Sequence, residues 1–187
     1  MSKMDGLVLG WRMYVFLVFI RRCVAGAAAL PVLGLLALSA MPAAAQDFSG
    51  PARVIDGDTI AIDDQIIDLY GVDAPELDFN GVEQTCLNDG QTYRCALVAA
   101  GMLADKIAGR TVSCEAHVIY ADGRVLASCF VKKRENLSGW MVNKGYVVVD
   151  SRYSEEFSDW EAWNKAAGAG LWSGHFELPW LWRTQNE

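Results

Sequence analysis

The distribution of apolar and polar residues predicts a small β-protein with a few helices. Apolar positions that nearly alternate with polar ones are typical of half-buried strands. They predict five strands, at about 52–56, 58–63, 65–72, 110–120 and 124–131. Asp56-Gly57 between the first two strands is a strong hairpin signal, because both central positions of the favoured turn need a positive φ angle. Residues 46–51 are expected to form a leader into the first strand.

Helical spacing of apolar residues is found from 91 to 108, between the third and fourth strands. Asn136 suits the N-cap of a short helix that ends at Gly145, and Ser154 suits the N-cap of another that ends near Gly168. Five strands with a helix inserted between the third and the fourth fit a partly open OB barrel. We therefore expect a mainly β, α+β fold: a five-stranded OB-fold barrel with about three helices.

The first 45 residues differ in composition from the rest of the chain. Two arginines precede an apolar run from Cys23 to Met41, and small residues follow up to Ala45. A basic segment, an apolar segment and a small-residue cleavage site are the parts of a signal peptide. We predict cleavage after Ala45, export to the periplasm or the medium, and no stable membrane span in residues 46–187. An uncleaved N-terminal anchor is the alternative.

The predicted mature chain is strongly acidic. The full sequence has 16 Lys+Arg and 23 Asp+Glu, of which four basic and one acidic residue lie in the first 45. Twelve basic and 22 acidic residues remain, for a net charge of −10. Proteins that bind nucleic acid usually carry a basic face, because phosphate neutralisation supplies most of the non-specific affinity. A strong, electrostatically steered nucleic-acid binder is therefore not expected, although a local cationic cleft is compatible with this balance.

The predicted mature chain has four cysteines, Cys86, Cys95, Cys114 and Cys129. An even number after a signal peptide indicates disulfides, for which three connectivities are possible. We favour Cys86–Cys95, which closes a loop, and Cys114–Cys129, which joins two predicted antiparallel strands. A zinc site is the alternative, but the sequence has no C-x-x-C and only two histidines.

The C-terminal tail is rich in tryptophan. Trp172, Trp180 and Trp182 lie there, close to Pro179. Such rings could stack on nucleic-acid bases. We favour the other interpretation, in which the tail docks its aromatic side chains onto the barrel.

Three acidic residues fall at predicted strand ends. Asp58 leaves the first turn, and Asp73 and Glu76 bracket the end of the third strand. Carboxylates that converge there can hold one hard cation, which prefers several oxygen ligands. Asp58 and Asp73 are the natural metal ligands, and the backbone carbonyl of Ala74 could add a third oxygen. Taken singly, each of these acids could also just end a strand or cap a turn, and carboxylates alone permit calcium, magnesium or manganese.

Four ordered motifs make the chain resemble the staphylococcal nuclease (thermonuclease) family from about Arg53 to Trp172. They are D-G-D-T-I, L-Y-G-V-D-A-P-E, Asp122-Gly123-Arg124, and Asn136-Leu137 through Gly145. The resemblance implies a five-stranded OB barrel that hydrolyses phosphodiester bonds of DNA or RNA with one calcium ion.

The resemblance also implies roles for individual residues. Asp58 and Asp73 match the calcium-binding aspartates of the family, and Glu76 matches its water-activating or water-positioning glutamate. Arg124 matches one of two phosphate-clamping arginines, whose guanidinium can donate two parallel hydrogen bonds to phosphoryl oxygens. Tyr153 lies where the family has a substrate-facing tyrosine.

The sequence departs from the family at two positions of the expected site. The second clamping arginine falls at Asp68, so a positive charge is lost and a negative one is added. Asp122 replaces a substrate-stacking tyrosine of the best-known members. Arg53, Arg94 and Arg152 are candidates for a substitute cation. Alternatively, Asp68 is an extra metal ligand.

Two functions of different classes follow from this sequence. The first is an exported, monomeric, calcium-dependent nuclease that acts on single-stranded or flexible nucleic acid and is weakened by Asp68. The second is a catalytically impaired OB-fold binding module of the cell envelope that contacts a glycan or a protein. The four matched acidic and basic residues favour the nuclease, whereas Asp68, Asp122 and the net acidity favour the binding module.

Overall fold

A five-stranded barrel is the centre of the fold. The structure is a computed structural model that describes residues 47–132 and 134–187. Its strands are β1 (Asp47–Val54), β2 (Thr59–Ile62), β3 (Gln65–Leu69), β4 (Val72–Asp73), β5 (Cys86–Asn88), β6 (Gln91–Tyr93), β7 (Thr111–Ile119), β8 (Val125–Val131), β9 (Glu135–Asn136) and β10 (Val148–Val149). Its helices are α1 (Cys95–Ile107), α2 (Leu137–Lys144), α3 (Ser158–Ala167), a 3-10 turn (Gly170–Ser173) and α4 (Pro179–Gln185). The predicted signal peptide, residues 1–45, lies outside the described residues.

The barrel closes through one parallel pairing. The main sheet has the order β3-β2-β1-β7-β8-β9 with antiparallel neighbours, and β3 also pairs in parallel with β8. In this pairing Ile67 lies opposite Val125, and Asp68 lies opposite Leu126. Strands β1, β2, β3, β7 and β8 thus form a closed barrel, which confirms the predicted α+β fold with a five-stranded barrel.

The barrel core is built from apolar side chains that alternate along the strands. Ile60, Ile67, Leu69, Val112 and Val125 are among its fully buried members. Helix α1 buries one face against them, because its small and apolar residues recur every three or four positions. The buried positions of α1 are Cys95, Ala96, Ala99, Ala100, Leu103 and Ile107.

Two predicted strand boundaries were wrong. The expected leader at 46–51 is mostly strand, because Asp47–Pro51 pairs with β7. The third strand does not run on to residue 72: Gly71 has a φ of 80° and interrupts the chain between β3 and β4. Strand β4 then pairs with β10 instead of joining the barrel sheet, and this places Asp73 opposite Val148.

The predicted Asp56-Gly57 turn was also wrong in its conformation. Gly57 does not have a positive φ. A glycine is needed at this position because the neighbouring residues leave no room for a side chain. A Cβ atom on this glycine would lie 2.8 Å from the Cβ of Ala74 and 2.8 Å from the Cβ of Ala99. The connection is a longer loop in which the backbone N–H groups of Ile55 and Asp56 both donate to the carbonyl of Thr59.

The helix predictions were correct for α2 and partly correct for the other two helices. Asn136 caps α2 by accepting a hydrogen bond from the Gly139 N–H at 3.1 Å, and Gly145 ends it with a φ of 74°. Helix α1 begins at Cys95 rather than 91, because residues 91–93 pair with β5. Ser154 does not cap α3, which begins four residues later; its hydroxyl accepts from the Glu156 N–H in the preceding turn.

Both favoured disulfides are present in the structure, Cys86–Cys95 and Cys114–Cys129. The second joins directly opposed residues of β7 and β8. The first links the β5–β6 hairpin to the start of α1, and the tail packs on it. A second small core is formed there by Cys86, Cys95, Val148 and Leu171 with Tyr93, Trp172, Phe176, Leu178 and Trp180.

The tail therefore docks by its aromatic side chains and ends in α4, a fourth helix. A proline at the first position of a helix is favourable, because its missing N–H would have no partner there. No helix within residues 47–132 and 134–187 is long and apolar enough to cross a bilayer.

The contacts of Gly57 generate a stability prediction. Gly57→Ala should lower the free energy of unfolding by about 1–3 kcal/mol, because the added methyl group overpacks the contact with Ala74 and Ala99. The measurement is urea denaturation followed by circular dichroism. Gly101→Ala in α1 is the matched control. It meets open space, so it should stabilise the protein by about 0.5–1 kcal/mol through helix propensity. Equal stability of Gly57→Ala and the parent protein would contradict this packing.

Candidate functional site

One polar pocket of about 330 Å³ opens at the end of the barrel where β3 and β8 meet the loops that follow β1 and β4. Most of the side chains singled out by the sequence lie in it. Its charged lining residues are Asp58, Asp68, Asp73, Glu76, Asp150, Arg124, Arg152 and Arg183. Its uncharged lining includes Thr59, Phe79, Tyr120 and Tyr153.

Asp58 is held at the base of the pocket by the backbone of a neighbouring segment. Its Oδ2 accepts the N–H of Ala74 at 3.0 Å, and its own carbonyl accepts the N–H of Leu69 at 2.8 Å. Ala74 is buried and does not line the pocket, and it contacts Asp58 through its N–H. Burial, followed by the charges of Asp73 and other acids, raises the pKa of Asp58 well above its ordinary value.

Asp56, the acid before Gly57, organises the loop instead of lining the pocket. Its Oδ1 accepts the N–H of Gly57 at 2.6 Å, and its Oδ2 accepts the N–H of Leu77 at 2.9 Å. Burial raises the pKa of Asp56 to about 6. The carboxylate thereby fixes the segment after β4 relative to the loop after β1.

Asp73 and Glu76 share one guanidinium, that of Arg183 from α4. Asp73 is only 4% exposed, and its two oxygens accept from Arg183 Nη1 at 2.9 Å and Nη2 at 2.7 Å. Arg183 Nη1 also donates to Glu76 Oε1. Burial raises the pKa of both carboxyls, although the Arg183 bonds act in the opposite direction.

Arg124 and Asp68 face each other across the seam of the barrel. Arg124 Nη2 donates to Asp68 Oδ1 at 2.6 Å, and that oxygen also accepts the hydroxyl of Thr59 at 3.0 Å. The contact exists because β3 runs parallel to β8, which begins one residue after Arg124. Residue 68 therefore lies in the pocket, as the sequence predicted, but as an aspartate that forms an ion pair with Arg124.

A second arginine–carboxylate pair forms the opposite rim. Arg152 donates through Nε and Nη2 to the buried Asp150, at 2.8 and 2.6 Å. Its guanidinium also lies about 6 Å from the rings of Trp180 and Tyr153. The Tyr153 hydroxyl lies 3.3 Å from that of Tyr120. This rim thus combines a fixed cation with exposed aromatic rings.

The pocket has more acids than bases. Five carboxylates and three guanidiniums line it, a formal excess of two negative charges. Each guanidinium bonds at least one of these carboxylates. The excess equals the charge of one divalent cation, and the donors are the hard oxygens that such an ion prefers.

Arg183 occupies oxygens of Asp73 that a bound cation would also need. Within the described parts of the chain, no three His, Cys, Asp or Glu side chains come together as a metal-binding group. The charge of Asp73 contributes to the raised pKa of Asp58, but the oxygens of Asp73 accept hydrogen bonds from Arg183. The pocket thus offers the oxygen donors that a hard cation prefers, but the positive charge beside Asp73 is the guanidinium of Arg183.

Gln84 ties the Glu76 segment to the tail. It is fully buried, and its Oε1 accepts the Glu76 N–H at 3.2 Å while its own N–H donates to the Glu76 carbonyl at 2.8 Å. Its Nε2 donates to the carbonyl of Glu177 at 2.7 Å. One buried amide thus fixes the backbone of a pocket residue and the segment that leads into α4.

The sequence missed Arg183, the residue that contacts Asp73 and Glu76. Pro179 followed by Trp-Leu-Trp-Arg indicates a short helix, but its docking depends on contacts about a hundred residues away in sequence. Of the three candidate substitute cations, Arg152 lies in the pocket. Arg94 instead pairs with Glu83, and Arg53 is an exposed residue of β1.

Comparison with known proteins gives two matches. A family model described as "Staphylococcal nuclease homologue" matches residues 66–174. The succinoglycan biosynthesis protein ExoI of Rhizobium meliloti (strain 1021) is 33% identical over 144 residues, which cover 75% of this chain and 73% of that protein. The family match includes Asp68, Asp73, Glu76 and Arg124 and leaves Arg183 outside.

The buried contacts of Gln84 generate a second stability prediction. Gln84→Leu should lower the free energy of unfolding by about 2–4 kcal/mol, because it leaves the Glu76 N–H and the Glu177 carbonyl without partners. Gln91→Leu, at an exposed position, should change it by less than about 0.5 kcal/mol. Chemical denaturation of both variants measures the difference. Similar values for the two would show that the amide does not hold these segments together.

Proposed function

Because the chain belongs to the staphylococcal nuclease family, we propose that it is a calcium-dependent nuclease that hydrolyses phosphodiester bonds of single-stranded or flexible nucleic acid. The observation that carries the proposal is the convergence of Asp58, Asp73, Glu76 and Arg124 on one pocket, although they come from three separate segments. Nuclease activity needs a cation site, a proton acceptor and a phosphate-binding cation in one place.

Each residue has a role that its surroundings support. Asp58 and Asp73 hold the cation, which when bound neutralises charge on the phosphoryl group and polarises it. Glu76 accepts the proton of the attacking water, and a raised pKa brings a carboxylate closer to the neutral range where a base works best. Arg124, whose guanidinium is about half exposed, donates to a phosphoryl oxygen. Tyr153 contacts the substrate at the rim.

Asp68 weakens the proposed enzyme. Its bond to Arg124 occupies one donor of the guanidinium, and its charge repels a phosphate. Loss of a clamping arginine costs on the order of 10³–10⁵ in the rate of phosphoryl transfer. The proposed nuclease is therefore slow.

We place the activity outside the cytoplasm. Two disulfides are typical of oxidising compartments, and the first 45 residues have the pattern of a signal peptide. The processed protein is proposed to act as a monomer in the periplasm or the medium.

A second candidate function is an envelope binding module without turnover. The pairing of each pocket guanidinium with a carboxylate favours it, because paired cations bind phosphate poorly. The name of the relative from Rhizobium meliloti points to polysaccharide synthesis, so the partner of this module would be an envelope glycan.

Glu76→Gln separates the two functions. The parent protein should digest fluorescently labelled single-stranded DNA when calcium is added and not when a chelator is present. Glu76→Gln should reduce the rate by about 10²–10⁴, the range for loss of a general base. Glu83→Gln is the matched control, since Glu83 also pairs with an arginine but lies outside the pocket. Absence of calcium-dependent cleavage, or residual cleavage that Glu76→Gln leaves unchanged, would favour the binding module.

Asp68→Arg tests the cost of the carboxylate on β3. It should raise kcat/KM for the same DNA about tenfold or more, because it frees Arg124 and adds a second guanidinium for the phosphate. Asp64→Arg makes the same charge change in the exposed turn between β2 and β3 and should alter the rate by less than about threefold at physiological salt. An equal rise for both variants would assign the effect to net charge.

A further inference from the structure

Arg183 donates hydrogen bonds to the two carboxylates that the proposed function uses as cation ligand and as general base. Asp73 is the proposed cation ligand, and each of its oxygens accepts a hydrogen bond from this guanidinium. Glu76 is the proposed base, and Arg183 Nη1 donates to it as well. A carboxylate engaged in this way must give up part of these bonds before it can take a metal ion or a proton.

The tail keeps Arg183 close to the pocket. The Gln84 side chain donates to the Glu177 carbonyl at 2.7 Å, and the Trp182 ring packs edge-on against Phe79 with centroids 6.2 Å apart. Pro179, the first residue of α4, is buried. Because the tail is docked, Arg183 competes for these oxygens as an intramolecular group, at a high effective concentration.

We infer that Arg183 is an internal counter-ion that competes with the divalent cation for Asp73 and Glu76, so that the C-terminal helix sets the affinity of the site for its ion. This inference rests on the proposed function only for the assignment of Asp73 as a cation ligand. It adds a residue from the C-terminal tail that the matched family region, residues 66–174, does not contain.

Electrostatics gives the direction of the effect. A guanidinium and a divalent ion are both positive, and both are drawn to the same pair of oxygens. Binding of the ion therefore weakens the Arg183 contact, and by linkage the Arg183 contact weakens binding of the ion by the same factor. A role for Arg183 as the substitute phosphate clamp is disfavoured in this arrangement, because its donors already bond two carboxylates.

The test is calorimetric titration of the purified protein with CaCl₂ and MnCl₂, without nucleic acid. Arg183→Gln should bind the ion about tenfold more tightly, which corresponds to about 1.4 kcal/mol. Arg152→Gln is the matched control: it removes the same charge from the same pocket but uncovers Asp150 instead of Asp73. It should raise the affinity by a clearly smaller factor than Arg183→Gln, because Arg152 acts on Asp73 through its charge alone and does not bond the Asp73 oxygens. Arg183→Lys, which keeps the charge but not the paired donors, should fall between the parent and Arg183→Gln.

Hydrogen exchange of the parent protein provides a second readout that needs no substitution. Saturating calcium should speed exchange of the amides of 182–185 in α4, since the helix loses its ionic contact with the pocket. Exchange in α2, which is not part of the pocket, should stay constant. Slower or unchanged exchange in α4 at saturation would overturn the inference.

The outcomes separate the inference from the function on which it rests. An unchanged or weaker ion affinity in Arg183→Gln overturns the competition and leaves the nuclease proposal intact. An unchanged affinity with a raised KM for DNA would assign Arg183 to phosphate binding instead. If neither the parent nor any variant binds calcium or manganese, both the competition and the cation role of Asp73 are overturned.

Discussion

The parallel pairing of β3 with β8 is the constraint on which the pocket depends. It closes the barrel, and it brings Asp68 and Arg124 together although they lie 56 residues apart in sequence. The loop after β1 is tied to the same edge, because the carbonyl of Asp58 accepts the N–H of Leu69 at the end of β3. Apolar burial inside the barrel thus fixes the positions of charged groups at its rim.

Charge balance then explains why the pocket has so many ion pairs. Burial makes an uncompensated carboxylate costly, so acids at the base of the pocket gather the available cations or hold a raised pKa. Arg124, Arg152 and Arg183 each come from a different segment to meet this need. If nucleic acid binds in this pocket, at least one of these arginines must therefore leave its carboxylate and bond a phosphate instead.

The sequence predicted the parts of the structure that depend on local patterns or motifs. The strand and helix alternation gave the barrel, Asn136 and Gly145 gave the bounds of α2, and the four cysteines gave both disulfides. The local pattern gave the wrong reason for Gly57. A glycine is needed there because helix α1, about 40 residues further along the chain, packs too closely to leave room for a side chain.

The remaining part of the site depends on tertiary contacts that no spacing reveals. Arg183 meets Asp73 across 110 residues, and only the docking of the aromatic tail makes that contact possible. The tail could be assigned to the barrel from its tryptophans, but the direction of α4 could not. The family resemblance did not help, since residues beyond 174 lie outside the matched region.

The apolar cluster under the tail gives the Cys86–Cys95 bond an influence that reaches beyond the hairpin it closes. Cys86 and Cys95 are buried, and Leu178 and Trp180, at the N-terminus of the helix that carries Arg183, pack against them. The disulfide and the ion pairs of Arg183 are consequently connected through one apolar cluster. Reduction of the bond would release the covalent restraint between the β5–β6 hairpin and α1, and so it should also loosen the surface on which the Arg183 helix rests.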